Sequence, residues 1–213
     1  MKLRAVIFDM DGTVTNTLPV AFTAIRNTLR EFTGRVYTDR EIMGMFGPNE
    51  EGICRRMVPD RWEECYRMLV DRYEKAHHLC TEPVPGIIGV LEMLKSKGVK
   101  LGIITGKGRE TAEISLRYTG VAPYFDAIET GSVKGVVKAG AITEMLTAWG
   151  ISKDEAAYVG DSPYDIRSAI EAGVLPIGAA WLETADAQEL ADAGAEIVFT
   201  SVEQFAEWCK ETA

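Results

Sequence analysis

The sequence predicts an α/β protein, with a Rossmann-like, doubly wound and mostly parallel sheet and an inserted α-helical cap domain. From Ile87 onward, helical and strand patterns alternate, and Gly follows most of the helices, as expected at a C′ position. Alternating units of this kind require a parallel sheet that is covered by helices on both faces. Residues 15–83 show helical spacing only. We therefore predict a core domain of residues 1–14 and 84–213, and a helical cap domain of residues 15–83.

The first strand is the apolar run Ala5–Phe8, which is rich in β-favouring residues. Apolar residues with a period near 3.6 then predict a helix over 19–32, and a capping-box pattern at Thr38–Glu41 opens a second helix. Two further helices are predicted over about 49–57 and 60–78. The inserted stretch therefore contains four predicted helices and no strand.

The rest of the chain supplies the remaining strands and the helices that cover them. The predicted strands are 100–104, 127–130, 156–159, 174–177 and 197–199. The predicted helices are 87–97, 109–119, 141–149 and 165–172, followed by a last helix that is capped by Ser201.

The amino-acid composition disfavours several classes of partner and location for this protein. The chain has 213 residues with 23 Lys and Arg against 32 Asp and Glu, a net charge of −9 that disfavours nucleic acid or an anionic membrane as partner. No apolar run reaches the roughly 18 residues that a membrane-spanning helix needs. The first strand begins within a few residues of the N-terminus, and the four cysteines form no C-x-x-C pair. We expect a cytoplasmic protein with reduced thiols.

Acidic residues follow two of the predicted strands. Asp9 and Asp11 come directly after the first strand, while Asp161 and Asp165 come after the strand at 156–159. Because parallel strands deliver their carboxyl ends to one crevice, the four carboxylates are expected to meet there. Gathered like charges repel one another unless a cation lies among them. The pattern therefore predicts a hard, oxygen-liganded ion, most simply Mg²⁺.

A hydroxyl group and a lysine complete the predicted site. Thr105, followed by Gly106, ends the strand 100–104, where a hydroxyl and the N–H groups of a turn can bind an oxyanion. The loop after the strand 127–130 carries Lys134 and Lys138, and a cation is needed there if a phosphate is to approach a cluster of carboxylates. These elements all follow predicted strands, which indicates a single functional site.

Four segments of the chain resemble the four motifs of the haloacid dehalogenase (HAD) superfamily. They are Phe8-Asp9-Met10-Asp11-Gly12-Thr13-Val14, Ile104-Thr105-Gly106, a loop lysine, and Gly160-Asp161-Ser162-Pro163-Tyr164-Asp165. The helical insertion is similar to the cap of the phosphoglycolate phosphatase and β-phosphoglucomutase branch. The resemblance extends over essentially the whole chain.

The resemblance implies a role for each motif. Asp9 would be the nucleophile that forms an aspartyl-phosphate, and Asp11 would be the general acid and then the general base. Thr105 and Gly106 would hold the transferring phosphoryl group. Four aspartates would build the Mg²⁺ site: Asp9, Asp11, Asp161 and Asp165. Asp11 would contribute its backbone carbonyl, and Asp165 would make a supporting contact.

The lysine departs from the pattern of this branch, because the usual Lys-Pro pair does not occur. Lys138 lies where that pair would fall, immediately before the predicted helix 141–149, and is therefore predicted to be the motif lysine that binds substrate and offsets charge. Lys134 is the alternative.

The resemblance implies a Mg²⁺-dependent phosphatase that acts on a small phosphorylated metabolite. Asp11 disfavours dehalogenation, which needs no proton donor, and Gly12-Thr13 favours hydrolysis over a phosphosugar mutase. A non-enzymatic phosphoacceptor signalling domain is disfavoured by the long helical insertion. In the cap, the loop 44–51 with Arg55 and Arg56 is a candidate for binding the leaving group. The runs Phe46–Pro48 and Lys107–Thr111 are similar to pyrophosphatase-like members of the branch, so a pyrophosphatase remains an alternative.

Overall fold

The computed structural model describes residues 2–135 and 137–213. In this part of the chain six strands form one sheet, in the order β3-β2-β1-β4-β5-β6, and every neighbouring pair is parallel. The strands are β1 (Ala5–Phe8), β2 (Lys100–Ile104), β3 (Ala127–Glu129), β4 (Ala156–Gly160), β5 (Leu175–Ala179) and β6 (Ile197–Phe199). The predicted α/β fold class is confirmed.

The order of the strands places a crevice between β1 and β4. The chain builds the sheet outward from β1 on one side through β2 and β3, and on the other through β4, β5 and β6. In such sheets, ligands bind outside the carboxyl ends of the strands where the winding direction reverses. The register pairs Phe8 with Val159, and the N–H of Asp9 donates to the carbonyl of Val159 at 2.8 Å. The segments that follow β1 and β4 therefore leave the sheet side by side.

Helices cover both faces of the sheet. They are α5 (Ile87–Ser96), α6 (Arg109–Thr119), α7 (Lys138–Trp149), α8 (Pro163–Ala172), α9 (Ala187–Asp192) and α10 (Val202–Thr212). Successive side chains of β1 point to opposite faces, so Val6 and Phe8 pack in one apolar cluster with α5 and α10. Ala5 and Ile7 pack in another with α7 and α8. Because both faces are buried, β1 is apolar along its whole length.

The inserted stretch forms helices that share an apolar cluster, to which Ile114 of α6 also belongs. The helices are α1 (Leu18–Thr33), α2 (Asp39–Met43), α3 (Glu50–Met57) and α4 (Trp62–Ala76). Ile25 and Leu29 of α1 pack in this cluster with Leu69 and Tyr73 of α4. The two connections to the sheet run together, because the N–H of Val84 donates to the carbonyl of Val14 at 2.9 Å. The domain boundaries at 14 and 84 stay a prediction.

Three helices illustrate where the structure differs from the sequence prediction. Helix α7 begins at Lys138 rather than at residue 141, so Lys138 is its first residue. Helix α8 begins at Pro163 rather than at residue 165, because Ser162 is its N-cap and Asp165 completes a capping box from the third position. The short helix α9, capped by Asp186, was not predicted. Among the described residues, no helix combines the length and apolarity that crossing a bilayer requires.

Candidate active site

Three carboxylates meet at the carboxyl ends of β1 and β4. Asp9, Asp161 and Asp165 each place an oxygen within 4.8 Å of the others. Asp9 is 6% exposed and Asp165 is 1% exposed, so this is a buried acidic cluster rather than a surface patch. Asp9 and Asp161 follow adjacent strands in register, which explains why residues so far apart in the chain are neighbours.

The turn after β1 is shaped to pass beside Asp161. Gly12 has a φ of 82°, in the left-handed region that favours glycine, and its N–H donates to the carbonyl of Thr15 at 2.8 Å. A Cβ at Gly12 would collide with the carboxylate of Asp161. The glycine therefore allows the β1 loop and the β4 loop to approach within contact distance.

Lys138 enters the acidic cluster from the first turn of α7. Its Nζ lies 2.6 Å from Oδ1 of Asp9 and 2.5 Å from Oδ1 of Asp165, and the side chain is 7% exposed. Burial opposes the positive charge, but the carboxylates of Asp165 and Asp9 outweigh it and raise the pKa of Lys138 well above its ordinary value. Lys134, in contrast, is exposed on its loop. The structure therefore places Lys138, and not Lys134, in contact with the carboxylates.

Asp165 is held in place from three directions. The hydroxyl of Ser162 donates to Oδ2 at 2.5 Å, and the N–H of Ser162 donates to the same oxygen at 3.2 Å. The hydroxyl of Tyr158, on β4, donates to Oδ1 at 3.3 Å. One carboxylate oxygen of Asp165 is part of the capping box, and the other contacts Lys138. Asp165 therefore positions the lysine and also contributes to the acidic cluster.

The electrostatics of the cluster favour a bound cation. Burial raises the pKa of Asp9 to about 7, with Lys138 opposing the shift and the nearby carboxylates adding to it. Burial, reinforced by Asp9 and Asp165, also raises the pKa of Asp161 well above its ordinary value. A divalent ion would relieve this repulsion, and carboxylate oxygens are the donors that hard cations prefer. Asp9, Asp161 and Asp165 therefore fit a metal ion.

The carboxylate of Asp11 points to a different set of partners. It accepts a hydrogen bond from the hydroxyl of Thr17, and its Oδ1 lies 3.3 Å from Nζ of Lys107. In the described ranges, its side chain does not belong to the three-carboxylate cluster. Its predicted backbone contact to a metal stays a prediction. The side chain thus lies outside the cluster, in contact with Thr17 and Lys107.

Thr105 and Gly106 form the turn that leaves β2. Thr105 is 1% exposed, and its hydroxyl accepts the N–H of Lys107 at 3.2 Å. The turn packs against the next loop, because the N–H of Gly131 donates to the carbonyl of Lys107 at 2.6 Å. A Cβ at Gly131 would collide with the carbonyl of Gly106. The predicted hydroxyl group is therefore part of a tightly packed turn at the strand ends.

Two charged residues of this region were missed by the site prediction. Glu50, the first residue of α3, accepts hydrogen bonds at 2.7 Å from the N–H of Gly108 and from the hydroxyl of Thr111. Lys107 is 7% exposed and lies 4.0 Å from Glu50; burial opposes its charge, but Asp11, Tyr73 and Glu50 raise its pKa far above the ordinary value. The only sequence signal was the run from Lys107 to Thr111 and the cap loop that ends near Glu50.

The cap arginines have partners within the inserted helices. Arg55 is paired with Glu51 at 2.8 Å, and its guanidinium group lies 3.6 Å from the ring centroid of Trp62. Arg56 donates to the carbonyl of Met45 at 2.6 Å. Their predicted contact with a leaving group stays a prediction.

Comparisons with known proteins identify the family. Residues 6–179 match the family described as haloacid dehalogenase-like hydrolase. The chain belongs to this family. It is 30% identical over 181 residues to the pyrophosphatase PpaX of Bacillus pumilus, which covers 84% of each chain. It is 32% identical over 176 residues to the pyrophosphatase PpaX of Halalkalibacterium halodurans, covering 82% of each.

Solved structures of other haloacid dehalogenase-like proteins share the fold. A predicted phosphoglycolate phosphatase from Haemophilus somnus superimposes with a TM-score of 0.78 at 20% identity, covering 100% of this chain and 99% of that one. A haloacid dehalogenase-like hydrolase from Streptococcus pneumoniae does so with a TM-score of 0.77 at 24% identity, covering 97% and 98%. The resemblance inferred from the four motifs is confirmed, and with it the prediction of a hydrolase of the phosphatase type.

Proposed function

We propose that this protein is a Mg²⁺-dependent phosphatase that hydrolyses a small phosphorylated metabolite through an aspartyl-phosphate on Asp9. The observation that carries the proposal is the position of Asp9, which is buried at the end of β1, 2.6 Å from Lys138 and within one carboxylate cluster with Asp161 and Asp165. A nucleophilic carboxylate needs positive charge nearby to receive a phosphate dianion.

Lys138 is proposed to supply part of that positive charge. Its ammonium group is fixed by Asp9 and Asp165, so it can contact a phosphoryl oxygen on Asp9 without reorganising. A bound Mg²⁺, held by Asp9, Asp161 and the backbone carbonyl of Asp11 with support from Asp165, would add charge beside the same oxygens.

Proton transfer is assigned to Asp11. As a bond forms between Asp9 and phosphorus, the bond from phosphorus to the leaving-group oxygen breaks, and Asp11 donates its proton to that oxygen. The oxygen of a water molecule then attacks the phosphorus of the aspartyl-phosphate while Asp11 takes a proton from that water. The bond from phosphorus to the Asp9 oxygen breaks, which releases phosphate and regenerates the Asp9 carboxylate. The hydroxyl of Thr105 and the N–H of Gly106 are assigned to the phosphoryl oxygens in both steps.

Pyrophosphate is the second candidate substrate. The relatives that match this chain at 30–32% identity over 82–84% of its length are named pyrophosphatases. Pyrophosphate and a phosphate monoester pass through the same two steps and differ only in the leaving group. A phosphosugar mutase is the remaining alternative from the sequence.

The experiment measures phosphate release from p-nitrophenyl phosphate and pyrophosphate by the purified protein. We expect activity that needs Mg²⁺ and disappears in excess EDTA. Asp9→Asn should keep the fold but lower turnover by on the order of 10³-fold or more, whereas the exposed control Asp60→Asn should not change it. Full activity in EDTA, or turnover by Asp9→Asn comparable with the wild type, would show that the proposal is wrong.

A further inference from the structure

Lys107 is a buried cation at the junction between the sheet loops and the inserted helices. Its Nζ lies 3.3 Å from Oδ1 of Asp11 and 4.0 Å from Oε1 of Glu50. The same nitrogen lies 4.5 Å from the ring centroid of Tyr73. Glu50 and Tyr73 belong to α3 and α4, whereas Asp11 follows β1. A lysine is rarely buried unless its charge has a function or a close partner.

The contacts of Lys107 are longer than those of Lys138. Lys138 makes contacts of 2.6 and 2.5 Å with its two carboxylates, as expected for charge-assisted hydrogen bonds. Lys107 approaches its carboxylates only at 3.3 and 4.0 Å. Glu50 is already held by two hydrogen bonds of 2.7 Å from α6 and its N-terminal turn. The ammonium group of Lys107 therefore lies farther from its carboxylates than that of Lys138 does from its own.

The position of Lys107 relative to Asp11 defines which part of a substrate it can reach. A general acid must lie within hydrogen-bond distance of the leaving-group oxygen that it protonates. A cation 3.3 Å from that acid therefore lies next to the leaving group, on the side of the inserted helices. Lys138, which is bound to Asp9 and Asp165, lies beside the nucleophile instead.

From these contacts we infer that Lys107 binds the leaving group and selects substrates whose leaving group carries its own negative charge, such as a phosphate or a carboxylate. The inference rests on the proposed function, because it assigns Asp11 as the acid.

Without Lys107, an anionic leaving group would face carboxylates. The groups that surround its position are Asp11 and Glu50, with the cluster of Asp9, Asp161 and Asp165 beyond. An anion brought against these groups would be repelled, whereas a neutral leaving group such as glycerol would not. The lysine should therefore matter for the anionic class and much less for the neutral class.

The test compares four substrates in the wild type and in Lys107→Met. Pyrophosphate and 2-phosphoglycolate release an anion, glycerol phosphate releases a neutral alcohol, and p-nitrophenyl phosphate reports the chemistry on Asp9. We expect Lys107→Met to lower kcat/KM for both anionic leaving groups at least tenfold more than for glycerol phosphate, with much of the change in KM. Lys107→Arg should restore a large part of the preference. The exposed Lys134→Met is the matched control and should behave as the wild type.

An equal loss for all four substrates would overturn the inference and give Lys107 a purely structural role. A change below threefold for the anionic substrates, or a wild type that prefers glycerol phosphate, would overturn it too. If Lys107→Met does not fold, the double variant Lys107→Met with Glu50→Gln removes one of the two carboxylates left without a counter-charge and answers the same question. The proposed function fails separately, through turnover by Asp9→Asn or through activity in EDTA.

Discussion

Replacing Lys138 by Met should destabilise the metal-free protein strongly. The ammonium group is 7% exposed and neutralises Asp9 at 2.6 Å and Asp165 at 2.5 Å. Methionine fills a similar volume but leaves both carboxylates buried without their counter-charge. Removing one partner of a buried ion pair usually costs about 3–5 kcal/mol. For a chain of this length, 1 kcal/mol corresponds to roughly 2–4 °C in Tm. We therefore expect Tm to fall by at least about 6 °C.

The assay is thermal unfolding followed by circular dichroism in excess EDTA, so that no divalent ion substitutes for the lost charge. Lys134→Met, an exposed lysine four residues earlier in the chain, is the control and should change Tm by less than about 1 °C. Added Mg²⁺ should recover part of the loss in Lys138→Met, because the ion and the lysine neutralise the same carboxylates.

A double-mutant cycle with Asp165→Asn separates the ion pair from simple packing. Asparagine keeps an oxygen for the hydrogen bonds from Ser162 but removes one of the charges that Lys138 neutralises. The two substitutions together should therefore cost less than the sum of the two alone, by at least about 1 kcal/mol. Additive effects, or a Tm for Lys138→Met within about 2 °C of the wild type in EDTA, would refute the reasoning.

Three further predictions concern Gly12, Glu50 and Asp9. Gly12→Ala should destabilise the protein by about 1–3 kcal/mol and weaken Mg²⁺-dependent activity, because its φ is 82° and the new methyl group meets the Asp161 carboxylate; wild-type values for both would contradict this. In urea unfolding, Glu50→Ala should cost about 1–3 kcal/mol, since it leaves a buried helix N–H without an acceptor. Glu51→Ala, which removes a surface pair, should cost under about 1 kcal/mol, and similar losses for the two would disprove the difference. Finally, burial raises the pKa of Asp9 from 3.8 to about 7, so the metal-free protein should lose stability as pH rises from about 4 to 7. Mg²⁺ should therefore raise Tm more at pH 7.5 than at pH 5, and an equal rise at both would refute the linkage.

Local patterns were enough to predict the sheet and three of the four carboxylates that were expected to meet at its edge; the Asp11 carboxylate lies outside the cluster. Strand β1 is buried on both faces, so its apolar run could be recognised without knowledge of its partners. Parallel strands direct their carboxyl ends to one edge of the sheet, so the positions of Asp9 and Asp161 after two such strands already predict that they are neighbours. Glycines in the left-handed conformation end several helices, as Gly120 and Gly173 do after α6 and α8.

The start of α7 depended on tertiary contacts. Gly140 is a weak helix former, and the N-cap residue Val137 has no side-chain oxygen to cap a helix. The sequence pattern alone therefore predicts that the helix begins at residue 141. The ion pairs of Lys138 with Asp9 and Asp165 fix the first turn instead. Those partners lie 129 and 27 residues away in the chain, beyond the reach of any local rule.

Lys107 and Glu50 escaped prediction for the same reason, and their contacts show how the inserted helices complete the site. Gly108, the N-cap residue of α6, has no side chain to accept the orphan N–H groups of the helix. Glu50 of α3, from 58 residues away, instead accepts the backbone N–H of Gly108 itself. Because the turn that this carboxylate secures also contains Lys107, the inserted helices control where the ammonium group lies relative to Asp11. In the proposed mechanism, residues at the strand ends act on phosphorus, and Lys107, at the junction with the inserted helices, acts on the leaving group. Substitutions on α3 should therefore change substrate preference before they change the chemistry at Asp9.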